Sequence, residues 1–339
     1  MRIAIVGGSF DPIHKGHLQM GYQAIESLEV DQVWFMPAGN TPLKDRQLTS
    51  KEDRLEMVKR AIADEEKFSV CTIELEREGK SYTLDTLTEL KKLYPEDEFY
   101  WIIGADQLKQ FDKWRGADQL VQLAHFVCMD RDGEFGESVY DIQKIHMNPM
   151  PVSSSDIRVG NKLMYLPKSV LDYIYEKRLY VEDWVRTRMK LKRFEHSVSV
   201  AHVCEEFARN NGLDVQKAYY IGLFHDIAKH MDVRAQKQWM EAKFPEHLHY
   251  PMPVWHGFVG SQTIQHVFYI KDPDIIEAIY HHVLGTSMNP YAMMVFCADK
   301  CDPLRDYDSS PMIEACNRDL YTGFLWVKEE NEKYLEKGN

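Results

Sequence analysis

The sequence predicts two fold classes in one chain: an α/β domain with a parallel sheet over residues 1–180, then an all-α domain over residues 181–339. Three observations predict it. The length of 339 residues is more than twice the usual domain size of about 150. Apolar runs of strand length alternate with helically spaced stretches up to about residue 180, and then the strand signals stop. Histidine is also skewed, with four of 14 before residue 181 and ten after it.

Taken in order, Arg2 to Val6 is a buried-strand signal that stops at Gly7-Gly8. Gln19 to Leu28 has helical spacing, and Gln32 to Pro37 is strand-like again, which makes a βαβ pattern. Phe99 to Ile103 and Phe126 to Met129 repeat the strand signal. Helices are expected at Arg54 to Ala63, Thr83 to Leu93 and Leu108 to Trp114. Such a sheet offers its ligands the carboxyl edge. Beyond Tyr180, helices are expected at Val181 to Arg193, Ser197 to Asn210, Asp214 to Lys229, Pro273 to His282 and Tyr291 to Cys301.

Composition narrows the function. Hydrophobic residues at 44% and charged residues at 28% are globular values. A net charge of −12 weighs against gripping nucleic acid or an anionic membrane, so neither partner is expected. Six cysteines form no paired framework, no run approaches a membrane span, and the start lacks a signal-peptide core; a soluble, cytoplasmic protein is expected. Composition leaves the oligomeric state open.

The first constellation is GGSFDPIHKGHL (7 to 18), which follows the first strand and opens the first helix. There the backbone of Gly7, Gly8, Ser9 and Phe10 can approach a phosphate, with His14 and His17 one helical turn apart. The second is SSSDIR (153 to 158), where Ser153, Ser154 and Ser155 open a helix and Arg158 adds a fork of donors suited to a polyanion. Together with SYTLDTL (81 to 87), GADQL (104 to 108) and Trp114, these segments resemble the nucleotidyltransferases, and most closely the bacterial nicotinate-nucleotide adenylyltransferases. The resemblance implies a Rossmann-like fold and AMP transfer from ATP to nicotinic acid mononucleotide, with Mg²⁺ as charge neutraliser. It places His14 and His17 at the transferring phosphate and Lys44 and Arg158 at the leaving pyrophosphate. Thr83, Thr86, Gly104, Asp106 and Trp114 fall at the acceptor, Trp114 by stacking on the pyridine ring. A relative acting on pantetheine phosphate is the competing reading of this half.

The third constellation lies in the helical half: His196, His225-Asp226, His256, His281-His282 and Asp299. Imidazole and carboxylate suit borderline divalent metals, and one Asp can bridge two ions. Lys229, four residues beyond His225, falls on the same face of a continuous helix. His202, His230, His247, His249 and His266 read as packing or surface histidines, and Cys297 and Cys301 as packing. RFEHS (193 to 197), FHDIAK (224 to 229), WHG (255 to 257), HVLG (282 to 285) and ADKCDPLR (298 to 305) resemble the HD-domain phosphohydrolases, most closely the symmetrical diadenosine tetraphosphate hydrolases. The resemblance implies a dinuclear centre of iron, with Mn²⁺ or Co²⁺ as substitutes. One ion falls on His196, His225, Asp226 and Asp299, and the other on Asp226, His256 and His282; the H-x-x-G spacing selects His282 over His281. Arg193, Lys229 and Arg305 are the candidate polyphosphate contacts, and the products are two ADP. A hydrolase of another nucleotide and a non-catalytic nucleotide sensor are the alternatives for this half.

Overall fold

In the computed structural model, residues 1–39, 48–130 and 135–337 are described. The chain divides into two compact units, Met1–Leu179 and the remainder from Tyr180.

The first unit is built on six parallel strands: β1 (Arg2–Gly8), β2 (Gln32–Pro37), β3 (Phe68–Val70), β4 (Glu98–Gly104), β5 (His125–Asp130) and β6 (Gln143–His146). Their order is β3-β2-β1-β4-β5-β6. The helices are α1 (Lys15–Leu28), α2 (Lys51–Ala61), α3 (Ile73–Glu76), α4 (Thr83–Leu93), α5 (Ala105–Leu108), α6 (Ala117–Leu123), α7 (Ser154–Arg158) and α8 (Lys168–Lys177). Ile3, Ala4, Ile5 and Val6 of β1 are all buried, as expected for a strand covered on both faces. The order reverses between β1 and β4, so the carboxyl ends of these two strands, Gly8 and Gly104, flank the crevice where such sheets bind ligands.

The α/β class followed by a helical half is as the sequence predicts; several elements differ in detail. The expected helix over 108–114 is instead α5 followed by a single 3₁₀ turn, Phe111–Lys113. Gly116, at φ +69, then turns the chain into α6. β3 and β6 went unnoticed because they are edge strands of three and four residues with little buried apolar pattern.

The second unit is helical throughout its described residues: α9 (Val181–Arg186), α10 (Leu191–Asn210), α11 (Val215–Phe224), α12 (Val233–Lys243), α13 (Trp255–His266), α14 (Pro273–His281), α15 (Pro290–Lys300), α16 (Ser310–Arg318) and α17 (Leu320–Lys337). No helix among the described residues is long and apolar enough to cross a membrane. The single helix expected over 181–193 is broken. The Thr187 hydroxyl donates to the Trp184 carbonyl at 3.0 Å, and Lys190 is extended, its N–H on His230 Nδ1 at 3.2 Å. The helix expected over 214–229 ends at Phe224. Residues 225 to 230 form tight turns whose N–H groups reach only three residues back, as Ile227 to Phe224 and Lys229 to Asp226. Lys229 is therefore not on a helix face with His225.

α10 and α11 approach each other through Gly222, where a Cβ would lie 2.4 Å from Ala201 Cα and 2.7 Å from Ala201 N. Backbone cannot yield as a flexible side chain does. Gly222→Ala is expected to cost about 1–3 kcal/mol or more by forcing these helices apart, read as a lowered urea midpoint; an unchanged midpoint would show that the crossing relaxes freely.

Candidate functional site

Two candidate sites follow from these frames, one in each unit.

In the first, the loop after β1 runs from Ser9 to Ile13 and enters α1 with His14 as its N-cap. The His14 backbone N–H donates to His17 Nδ1 at 3.2 Å, and the two rings stack with centroids 3.8 Å apart. This stack is possible because position 16 is glycine: a Cβ there would lie 3.1 Å from the His14 ring and 3.3 Å from Val152. Phe10 takes a left-handed φ of +45, rare for a bulky residue, and packs on His17 and Phe35 at 5.1 and 6.0 Å. Gly7, Gly8 and Ser9 are not buried, leaving the carboxyl end of β1 approachable.

The second signature docks onto the first. Ser153 caps α7, its Oγ accepting from Asp156 N at 3.1 Å while Asp156 Oδ2 accepts from Ser153 N at 3.1 Å. The Ser154 hydroxyl donates to the Pro12 carbonyl at 2.9 Å. Arg158 donates to the Asp11 carbonyl at 2.6 Å and to Ser155 Oγ at 2.9 Å. Segments some 140 residues apart in sequence thus form one cradle beside the helix start.

The acceptor-side candidates divide. Gly104 ends β4, with Asp106 exposed in the following turn, and Thr83 is half-buried at the start of α4. Trp114 is half-buried against Phe111 and Phe126, at 5.3 and 6.4 Å. Thr86 is fully buried; its hydroxyl accepts from Arg77 at 2.9 Å and donates to Glu74 at 3.0 Å, so that side chain is spent inside the fold. Lys44 lies outside the described residues. Sequence reasoning missed Arg54, whose buried guanidinium donates to the carbonyls of Ser9, Ala38 and Thr49 at 2.8, 2.9 and 3.1 Å. Only its place in α2, otherwise an ordinary charged helix, hid it.

In the second unit, the scattered histidines and acids converge. α10 supplies His196, the turn after α11 His225 and Asp226, the first turn of α13 His256, the end of α14 His282, and α15 Asp299. All six are buried. Two groups of ligand atoms lie within 4.8 Å of one another: His196, His225 and Asp226, and Asp226, His256 and His282. Asp226 joins them. Its Oδ1 lies 3.0 and 3.8 Å from Nε2 of His256 and His282, and its Oδ2 lies 3.5 and 3.9 Å from Nε2 of His225 and His196. Asp299 Oδ1 adds a second carboxylate, 3.2 Å from His196 Nε2 and 3.9 Å from His225 Nε2.

Each ring is held from behind. Nδ1 of His225, His256 and His282 meets the carbonyl three residues earlier, of Gly222, Pro253 and Ile279, at 2.7, 2.7 and 2.6 Å. His196 Nδ1 meets Asp302 Oδ2 at 2.5 Å. Every Nε2 is thereby aimed inward, and those of His196 and His225 are buried with no hydrogen-bond partner. Buried nitrogens of this kind, facing shared carboxylates, fit a divalent metal centre.

Cations border the cluster. Arg193 donates to Asp226 Oδ2 at 2.8 Å, Arg305 to Asp299 Oδ1 at 2.9 Å and Lys300 to Asp299 Oδ2 at 2.7 Å; Lys229 Nζ lies 3.4 Å from His256 Nδ1. Burial works against the charged form of Asp226, but His225, His256 and His282 hold its carboxyl well below the usual range. Burial likewise opposes Asp299, which Lys300 and His196 hold low. Burial lowers Lys229 and takes His282 down to about 4. In His196 burial is overcome by Asp299 and Asp302, which push it up to about 9. Asp302 was not singled out from sequence, although it stands three residues after Asp299 in ADKCD.

A relative from Shouchella clausii, described as a probable nicotinate-nucleotide adenylyltransferase, is 43% identical over 182 residues, covering 52% of this chain and 95% of the relative. The chain belongs to the nicotinate-nucleotide adenylyltransferase family. The cytidylyltransferase-like family model matches residues 5–160, and the HD domain model matches residues 193–304. A Mycoplasma genitalium relative covers both units, 29% identical over 90% of this chain and 88% of its own length. It is described as a probable nicotinate-nucleotide adenylyltransferase/Ap4A hydrolase. A Mycoplasma pneumoniae relative with the same description is 26% identical over 93% and 95%. The adenylyltransferase relative thus covers the first unit, and the HD domain match falls within the second.

Two expectations follow. Arg54→Ala leaves three carbonyls without their donor and is expected to cost about 1–3 kcal/mol, read as a lowered urea midpoint; an unchanged midpoint would show that those carbonyls find other donors. The second concerns pH in chelator-treated protein. A folded His196 pKa of about 9 against an ordinary 6.5 gives stability present below pH 6.5 and lost as pH rises toward 9. A folded His282 pKa of about 4 gives stability that is lost as pH falls from 6.5 toward 4. The Tm should therefore fall on both sides of about pH 6.5, with Asp302→Asn flattening the alkaline limb; a flat alkaline limb in the wild type would contradict the His196 assignment.

Proposed function

We propose that the chain is a bifunctional enzyme. Its first unit transfers AMP from ATP to nicotinic acid mononucleotide, giving nicotinic acid adenine dinucleotide and pyrophosphate. Its second unit hydrolyses diadenosine tetraphosphate symmetrically to two ADP at a dinuclear centre. The observation that carries this reading is the pair of ligand groups sharing Asp226, in a chain whose full-length relatives carry both names.

In the first unit no protein nucleophile is needed, because the acceptor phosphate attacks the α-phosphorus in line and the protein aligns it and neutralises charge. The backbone of Gly7 to Phe10 and the stacked His14 and His17 take the triphosphate and the transferring phosphate. Ser153, Ser154, Ser155 and Arg158, docked on residues 11 and 12, take the departing pyrophosphate, with Lys44 as their partner. Thr83, Gly104, Asp106 and Trp114 receive the acceptor at the carboxyl edge. The Mg²⁺ expected with ATP has no acidic cluster of its own among the described residues of this unit.

In the second unit, His196, His225, Asp226 and Asp299 would hold one ion, and Asp226, His256 and His282 the other. Iron is the expected metal, with Mn²⁺ or Co²⁺ as substitutes. When bound, such a pair acidifies water and neutralises charge on a phosphoanhydride. The chain's own part is orientation and charge. Buried Nδ1 contacts fix each imidazole, and Arg193, Lys229 and Arg305 stand at the rim where a polyphosphate chain passes. Lys229, its charged form disfavoured by burial, gains most from meeting an anion there.

The test separates the halves. Asp226→Asn should reduce Ap4A hydrolysis by about a hundredfold or more, while His17→Ala should do the same to pyrophosphate release and each leaves the other activity within about twofold. Turnover of pantetheine phosphate instead of nicotinic acid mononucleotide, or consumption of a guanosine polyphosphate with Ap4A intact, would overturn the substrate assignments. A metal-loaded protein that hydrolyses no nucleotide would leave the second unit as a sensor.

A further inference from the structure

We infer that the two halves of the metal centre are unequal: the half made by His196, His225, Asp226 and Asp299 binds its ion first and more tightly, and Asp302 is the positioning residue that sets the difference. The inference rests on the dinuclear reading above. It is carried by an asymmetry in what stands at and behind the ligands.

At the ligands, the first half offers four protein groups, two of them carboxylates: Asp226 Oδ2 and Asp299 Oδ1, each within 3.9 Å of both imidazole Nε2 atoms. The second half offers three groups and only one carboxylate oxygen, Asp226 Oδ1. A second anion beside a divalent ion in a buried site is a large favourable term. Arg193, Lys300 and Arg305 pair with the same two carboxylates, so an ion in the first half shares them with three cations. Four donors against three still favour that half.

Behind the ligands, three imidazoles lean on neutral backbone carbonyls, whereas His196 leans on a carboxylate at 2.5 Å. Asp302 is itself 1% exposed and pinned. Ser199 Oγ donates to its Oδ1 at 2.5 Å, and the Leu304 N–H to the same oxygen at 3.1 Å. A carboxylate so held both fixes the ring and makes its far nitrogen a stronger donor, an arrangement whose loss typically costs 10- to 100-fold in metal affinity. Asp302 touches no ion itself; it acts through His196.

The experiment is a Mn²⁺ titration of the full-length, chelator-stripped protein, followed by calorimetry and by electron paramagnetic resonance, which distinguishes a single ion from a coupled pair. The wild type should bind two ions in two steps whose affinities differ by about tenfold or more. Asp302→Asn should weaken the tighter step by about 10- to 100-fold and leave the other within about twofold, with Asp302→Glu restoring part of the loss. Ser199→Ala, which loosens Asp302 without touching a ligand, should weaken the same step by less, and decides the matter together with the wild-type pattern if Asp302→Asn does not fold. Two ions bound in equal steps, or both steps weakened alike, would overturn the inequality while sparing the metal centre. No ion bound at all would overturn the centre itself.

Discussion

A carboxylate taken out of water has to be met by positive charge or by several donors, because its isolated burial costs several kcal/mol. Asp226, 3% exposed, is met on one oxygen by His256 and His282 and on the other by His225, His196 and Arg193. Much of the second unit is arranged around this requirement. α10 brings Arg193 and His196, α13 and α14 bring the two imidazoles on the far side, and the chain leaves helical geometry at residue 225 so that His225 and Asp226 both enter the cluster. The tight turns over 225–230 follow from that placement, and Lys229 reaches the rim beside His256 because the helix stops.

The first unit faces a different electrostatic problem. The ligands proposed for it are anions, and a chain of net charge −12 does not attract them globally. Under the proposed function what attracts them is local: a glycine-bearing turn at the sheet's reversal point, a helix start, two stacked imidazoles and Arg158. The loop itself is held by carbonyl contacts to Arg54, Ser154 and Arg158, so the turn before α1 is supported from beneath by other polar side chains.

Motif residues were legible because their chemistry restricts both type and spacing. His14 and His17 must be a turn apart at a helix start, and Gly16 must be small for the rings to stack beside Val152. The supporting residues were not legible. Arg54 looks like any charged helix position until its guanidinium is seen on the carbonyls of Ser9, Ala38 and Thr49. Thr86 sits in a motif that resembles an acceptor site, yet its hydroxyl bridges Arg77 and Glu74 inside the fold. Asp302 was visible only as another acid in a helix-end segment.

The amino-acid sequence alone determined the two fold classes and singled out the six imidazole and carboxylate side chains that the fold gathers, since hydrophobic period and residue type are local properties. Only the tertiary structure decided which oxygen of Asp226 faces which pair of histidines, that His196 alone leans on a carboxylate, and that residues 225–230 are turns. Those are long-range matters: hydrogen-bond direction and charge pairing depend on groups more than a hundred positions apart, such as His196 and Asp302, whose meeting is set by how whole helices pack.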